Sequence, residues 1–137
     1  MTLDIYASML YNILCNTKYY VVKRGESLDD RYLKQFKKGI LEIVVLKLLS
    51  IREMYGYELI SSLNEKSRFF EIKEGTLYPI LYRLEDEKLM ETRWEQSQSR
   101  GVPKKYYMIT EKGRSVLKEA TQLWLDFSGD IERILNE

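Results

Sequence analysis

The apolar positions of the chain recur first at helical spacing and later at strand spacing. From about Leu33 to Ile51, Phe36, Ile40, Ile43, Val44 and Leu48 form one stripe, which predicts a helix. Val45, Leu46 and Leu49 widen its apolar arc, so burial on two sides is expected, against its own domain and a partner subunit. A second helix is expected over Gly56–Lys66, with Leu59, Ile60 and Leu63 inward. A third, over about Glu74–Lys88, sets Leu77, Ile80, Leu81 and Leu84 at i, i+3, i+4 and i+7. Thr76 is its expected cap, and Pro79 is expected in its first turn, where a missing N–H costs little.

After Leu89 the period falls to two. METRWEQ alternates, SQSRGVP is a polar turn, and KKYYMI returns as a second strand, which reads as a hairpin with a basic tip. Tyr106 and Tyr107 alternate across that strand, so one packs inward and the other faces out. Thr110 then caps a last helix running through roughly Leu135, with Glu111 in its first turn. The expected fold is mainly α with a small β-hairpin: a winged helix-turn-helix domain over residues 31–109 and a C-terminal dimerisation helix over 110–137. Residues 1–30 stand apart and keep no steady period. They are either an added helix over about Leu3–Leu14 or a leader. In the second case Lys23-Arg24-Gly25-Glu26 is what a purine-rich ribosome-binding site would encode, and Leu28 is the natural start.

Composition removes several chemistries. The 137 residues contain no histidine, which excludes His-based acid–base catalysis and most zinc sites. Cys15 is the single cysteine, so no internal disulfide framework exists, and a reducing cytoplasm is the expected location. No phosphate-cradling glycine motif, no metal set and no membrane span of ~20 apolar residues is present in the sequence, and no cofactor is expected. The net charge of +1 conceals an asymmetry. Residues 31–109 hold 15 cations against 11 carboxylates, a net of +4, whereas residues 110–137 hold 4 against 6, a net of −2. The middle of the chain is therefore where an anionic partner would bind.

Five short motifs in register narrow the reading. They are Tyr55-Gly56-Tyr57-Glu58-Leu59, Glu74-Gly75-Thr76-Leu77-Tyr78-Pro79, Arg83-Leu84-Glu85, Lys104-Lys105-Tyr106-Tyr107 and Thr110-Glu111-Lys112-Gly113. Together they resemble the PadR family of transcriptional regulators from about Leu33 to Leu135. The resemblance implies a repressor that binds double-stranded DNA at a pseudo-palindromic operator as a homodimer. The single C-terminal helix is similar to the family's short branch, whose multidrug-responsive regulator lines a drug pore with a tryptophan of its last helix. Trp124, followed by Ile131-Glu132, falls at the corresponding place. Two departures stand out: Tyr55 occupies a position where the family often has histidine, and residues 1–30 have no counterpart in the short members.

These considerations set the candidate residues. On the third helix and just before it, Lys73, Thr76, Tyr78 and Arg83 are the expected DNA contacts, because the N-terminal part of a recognition helix enters the major groove. The bland alternative for Tyr78 is packing on a neighbour. Arg100, Lys104 and Lys105 at the wing are expected to meet phosphates. On the last helix Leu117, Trp124 and Ile131 repeat every seven residues beside a stripe containing Leu123 and Phe127. One helix cannot bury both stripes, so these five residues are assigned to a dimer or ligand interface. Trp124 is either an interface anchor or the wall of a slot for a planar aromatic molecule, neutral or cationic given nearby Asp126 and Asp130. The competing readings are a winged helix that binds only protein and a small carboxylate enzyme. The basic wing argues against the former, and the lack of any recognisable site argues against the latter.

Overall fold

The computed structural model describes residues 28–95 and 101–137. Its elements are α1 (Leu28–Ile51), β1 (Met54–Tyr55), α2 (Gly56–Lys66), α3 (Glu74–Asp86), β2 (Met90–Glu95), β3 (Lys104–Ile109) and α4 (Glu111–Leu135). The order is helix, short strand, two helices, hairpin and long helix, a winged helix-turn-helix with a C-terminal helix. The residues preceding α1 lie outside the described residues, as do Ser97–Arg100 at the wing tip.

The three helical periods close on one core. Val45, Leu59, Leu63, Leu77 and Leu84 are fully buried, with Leu46, Leu81 and Met90 nearly so. The four apolar positions of α3 all point inward, as their spacing requires. On α1 the stripe read from the sequence meets the core only at its C-terminal end, where Leu48 is buried and Val44 packs against the core. Leu41, Val45, Leu46, Leu48 and Leu49 are buried, whereas Phe36 is exposed and Ile40, Ile43 and Val44 are half-buried. Phe36, Ile43 and Ser50 are seven apart and share a stripe of the helix. The Ser50 carbonyl accepts from the Arg114 guanidinium of α4 at 3.4 Å. That stripe lies on the α4 side of α1, where Ile43 is half-buried and Phe36 stays exposed.

α1 begins at Leu28, earlier than the periodicity suggests, because its first three turns hold few apolar residues. The sheet has three strands in the order β1-β3-β2 where a two-stranded hairpin is expected. Met54 pairs with Tyr107 and Tyr55 with Tyr106. A two-residue strand is too short to display an alternating period, so its place in the sheet is set by β3 alone. Alternation along β3 sends Tyr107 into the core and leaves Tyr106 on the outer face beside Tyr55 and Arg93. Burial pushes the Tyr107 phenol up to about 12, with Tyr78, Tyr82 and Glu85 of α3 adding to the effect.

The joint between α3 and α4 explains the Thr110–Gly113 motif. Lys88 adopts a left-handed backbone (φ 61°), and Leu89 N–H donates to the Leu84 carbonyl at 2.9 Å, ending α3. Thr110 N–H donates to the Leu89 carbonyl at 3.1 Å, and its hydroxyl donates to the Lys88 carbonyl at 2.7 Å. The same hydroxyl accepts from Gly113 N–H at 3.0 Å, so one threonine caps α4 and ties it to the end of α3. Gly113 is required because a Cβ there would lie 2.0 Å from the Leu89 carbonyl oxygen.

Candidate nucleic-acid interface

α3 follows α2 in the helix-turn-helix position, and its outer face is open. Lys73, Glu74, Gly75, Thr76, Pro79, Tyr82, Arg83 and Asp86 are all exposed. The N-cap is Lys73 with no side-chain cap, rather than Thr76, which is the third helical residue. Thr76 N–H and Leu77 N–H both donate to the Lys73 carbonyl at 3.0 Å. The Thr76 side chain is thus released from capping. Pro79 lies in the second turn, not the first; it removes the N–H that would reach the exposed Gly75.

Three residues expected at this surface have protein partners instead. Tyr78 is half-buried against the core, and a Cβ at Gly56 would meet its hydroxyl oxygen at 2.6 Å. The glycine of the Gly56-Tyr57-Glu58 motif makes room for that ring, and packing on a neighbour is the arrangement observed. Glu58 completes the motif by accepting from Tyr55 N–H at 3.1 Å, while Tyr57 stands 69% exposed. Arg83 pairs with Glu42 of α1. Lys105 pairs with Glu85 at 3.8 Å and sits between the Trp94 and Tyr107 rings. Glu85 also accepts from the Thr92 hydroxyl at 3.4 Å. The Arg83-Leu84-Glu85 motif therefore braces α3 three ways: arginine to α1, leucine to the core and glutamate to the wing. Each pair is too exposed to add more than about 1 kcal/mol of stability, but together they fix the orientation of α3.

The outer face of the wing has its own clasp. Arg93 on β2 makes a two-pronged contact with Glu53, just before β1, and lies 4.6 Å above the Tyr106 ring. That hydrogen bonding holds the Glu53 carboxyl below the usual carboxylate range. Lys104 stands exposed over Tyr55 at 4.6 Å, pointing away from α3 and its brace. Arg100 lies outside the described residues. The sequence reading missed Tyr82, which is 62% exposed beside Thr76, Pro79 and Arg83. Its signal was present, since it falls off the apolar stripe of α3.

On α4 the two stripes separate. Gly113 and Ser128 are buried, Leu117, Trp124 and Ile131 are half-buried, and Leu117 packs against the subunit's own core. Leu117 therefore makes an intrasubunit contact, because α4 lies along α1 on this side. Leu123, Phe127 and Ile134 form the outward stripe, exposed by 70%, 56% and 60%. Among the described residues no cluster of carboxylates or cysteine could hold a metal ion, and no helix is long and apolar enough to cross a membrane.

The same arrangement occurs in known proteins. A PadR-like transcriptional regulator of Bacillus cereus is 41% identical, with a TM-score of 0.66 over 75% of this chain and 98% of its own. A PadR family transcriptional regulator of Eggerthella lenta is 31% identical, with a TM-score of 0.68 over 77% of this chain and 89% of its own. The transcriptional regulator YqjI of Escherichia coli is 32% identical over 97 residues, covering 70% of this chain but 43% of that protein. Residues 45–119, from the buried part of α1 into α4, match the transcriptional regulator PadR-like family. The chain belongs to that family, whose members bind DNA.

Proposed function

We propose that this protein is a cytoplasmic, ligand-responsive repressor and not an enzyme, and that it binds a pseudo-palindromic operator as a homodimer. The observation that carries the reading is the open face of α3, with Lys73 at an uncapped helix N-terminus and Thr76 and Tyr82 beside it. A helix N-terminus favours an anion, and a lysine there favours a phosphate in particular. Thr76 and Tyr82 are the base-edge readers in this account, Lys73 and Lys104 the phosphate contacts, and Arg100 a further cation of the wing. Tyr78, Arg83 and Lys105 position α3 and the wing. The exposed stripe of Leu123, Phe127 and Ile134 supports dimerisation, since a second copy would cover it.

Salt titration of binding to a mixed-sequence duplex tests the reading. With roughly 6–10 phosphate contacts, affinity falls about 10³–10⁵-fold between about 50 and 200 mM salt. Lys104→Ala lowers the logarithmic slope by about one per lost contact, whereas Lys105→Ala and Arg83→Ala leave it near the wild-type value. Binding that ignores salt would sink the DNA reading and favour a protein-only partner.

Regulation is assigned to Trp124, as in the family's short branch. It is half-buried on α4 between the exposed Leu123 and Leu125, so a two-fold contact at the outward stripe would border its ring. A flat neutral or cationic ligand would stack there, with about 0.5–1.5 kcal/mol per ring beyond area burial. Fluorescence quenching by a planar cationic dye is expected in the wild type and lost in Trp124→Ala, while Trp94 still reports. Equal dye affinity in both proteins would leave Trp124 as a packing residue only.

A further inference from the structure

The inner face of the wing runs from the core out to solvent. Side chains alternate along β2, so Met90, Thr92 and Trp94 share one face and Glu91, Arg93 and Glu95 the other. Met90 is buried in the core, and the Thr92 hydroxyl reaches Glu85 of α3 at 3.4 Å. Trp94 is the next side chain outward on that face, and it stands 63% exposed. Its cross-strand neighbour on β3 is Lys105, whose ammonium lies 5.9 Å from the Trp94 ring and 3.8 Å from the Glu85 carboxylate. These contacts fix the side. Trp94 belongs to the face of the wing that is turned to α3, one step beyond the brace.

The facing side chain on α3 is Tyr82. It precedes Glu85 by one turn, on the same side of the helix. It also lies near enough to Tyr107 of β3 to help push that phenol up. At 62% exposure Tyr82 belongs equally to the open outer face of α3. Two large aromatic side chains, one on the helix and one on the wing, therefore flank a cleft. Its floor is the Lys105–Glu85 pair, whose charges cancel. Glu91 and Glu95, the carboxylates of β2, fall on the opposite face of the strand.

We infer that Trp94 is a DNA-contacting residue whose indole lies against the deoxyribose face of the strand bordering the groove that α3 occupies. The inference rests on the DNA-binding reading above and deepens it with a contact that carries no charge. A helix in the major groove has a sugar–phosphate strand on either side of it. The wing stands beside α3, so the strand on that side passes between Tyr82 and Trp94. Deoxyribose is the apolar part of such a strand, and a tryptophan offers it a large flat apolar surface. The phosphates are left to Lys73 and Lys104, while Lys105 keeps Glu85 as its partner.

Neutral and ionic contacts leave different signatures. Only a lost cation reduces counterion release, so a lost neutral contact weakens binding without changing the salt slope. With a mixed-sequence duplex of about 40 base pairs, Trp94→Ala is expected to bind about 10-fold more weakly at every salt concentration, with the wild-type slope. Trp94→Phe keeps part of the flat surface and should lose less. Tyr57→Ala is the control and should bind like the wild type. It removes an aromatic ring that is 69% exposed and stacked on Tyr55, on the outer face of the sheet. Tryptophan emission gives a second readout: it should change when the wild type is saturated with duplex, and the change should be lost in Trp94→Phe. Circular dichroism and sedimentation confirm that each variant keeps its fold and oligomeric state. A Trp94→Ala protein that binds like the wild type would overturn the inference and leave the DNA reading intact. So would a Trp94→Ala slope that falls by about one per subunit, or an emission change that persists in full in Trp94→Phe. A wild type that fails to bind the duplex at low salt would overturn both.

Discussion

Leu123→Asp and Phe127→Asp are each expected to give a monomer whose affinity for operator DNA is at least about 100-fold lower. In the subunit these side chains are 70% and 56% exposed, so an aspartate at either site meets water and leaves the subunit fold intact. In a dimer the same aspartate is buried without a partner, which costs several kcal/mol. The affinity follows from geometry: two tethered half-site contacts exceed one by about 10²–10⁴-fold, and a monomer forfeits that gain. Leu117 provides the contrast. It packs on its own core, so Leu117→Asp should unfold the subunit rather than split a dimer. Sedimentation and circular dichroism separate the outcomes. A Leu123→Asp protein that sediments as a dimer and binds DNA like the wild type would remove the outward stripe from the account.

Gly113→Ala is expected to destabilise the protein by about 3 kcal/mol, against the sign that helix propensity gives. Alanine in a helix ordinarily gains ~1 kcal/mol over glycine. Here its Cβ would stand 2.0 Å from the Leu89 carbonyl oxygen and 2.8 Å from Ile109 Cγ1. Neither backbone nor strand can yield without breaking the Thr110 hydrogen bonds that join α4 to the end of α3. Overpacking of this kind costs ~1–3 kcal/mol and occasionally more, and the contact with main chain puts this site at the upper end. Gly39→Ala is the control, since nothing lies within 4 Å of the added atom and a gain of up to ~1 kcal/mol is expected. Urea midpoints read both changes. A Gly113→Ala protein as stable as the wild type would mean that the α3–α4 joint is loose.

Much of this molecule is legible in its periodicity. The apolar spacing of α3, the change from period 3.6 to 2 at Leu89, and the Thr110 cap all have local causes, and local causes are visible in sequence. β1 was not, because two residues cannot alternate. The partners of Arg83 and Lys105 were not visible either. Both cations look available on a helix face or at a wing, and only the folded chain brings Glu42 and Glu85 to them. Tyr78 was legible as an alternative, but choosing between groove and packing required the space that Gly56 leaves. The two stripes of α4 were legible but not their partners, since Val116 and Leu117, one from each stripe, both pack on the core while Leu123, Phe127 and Ile134 stay exposed. Trp124 shares that ambiguity, being half-buried on the inner stripe beside exposed neighbours.

In the proposed complex two copies of α3 read one two-fold DNA site, which footprinting can resolve. Duplexes selected by the wild-type protein from a random pool should share a sequence with inverted symmetry. Hydroxyl-radical cleavage on them should show two equally protected half-sites with centres about 10–10.5 base pairs apart, or a multiple of that spacing. Thr76→Ala or Tyr82→Ala should abolish the preference for the selected sequence while non-specific binding survives. A single asymmetric footprint, or selection of no common sequence, would contradict the account.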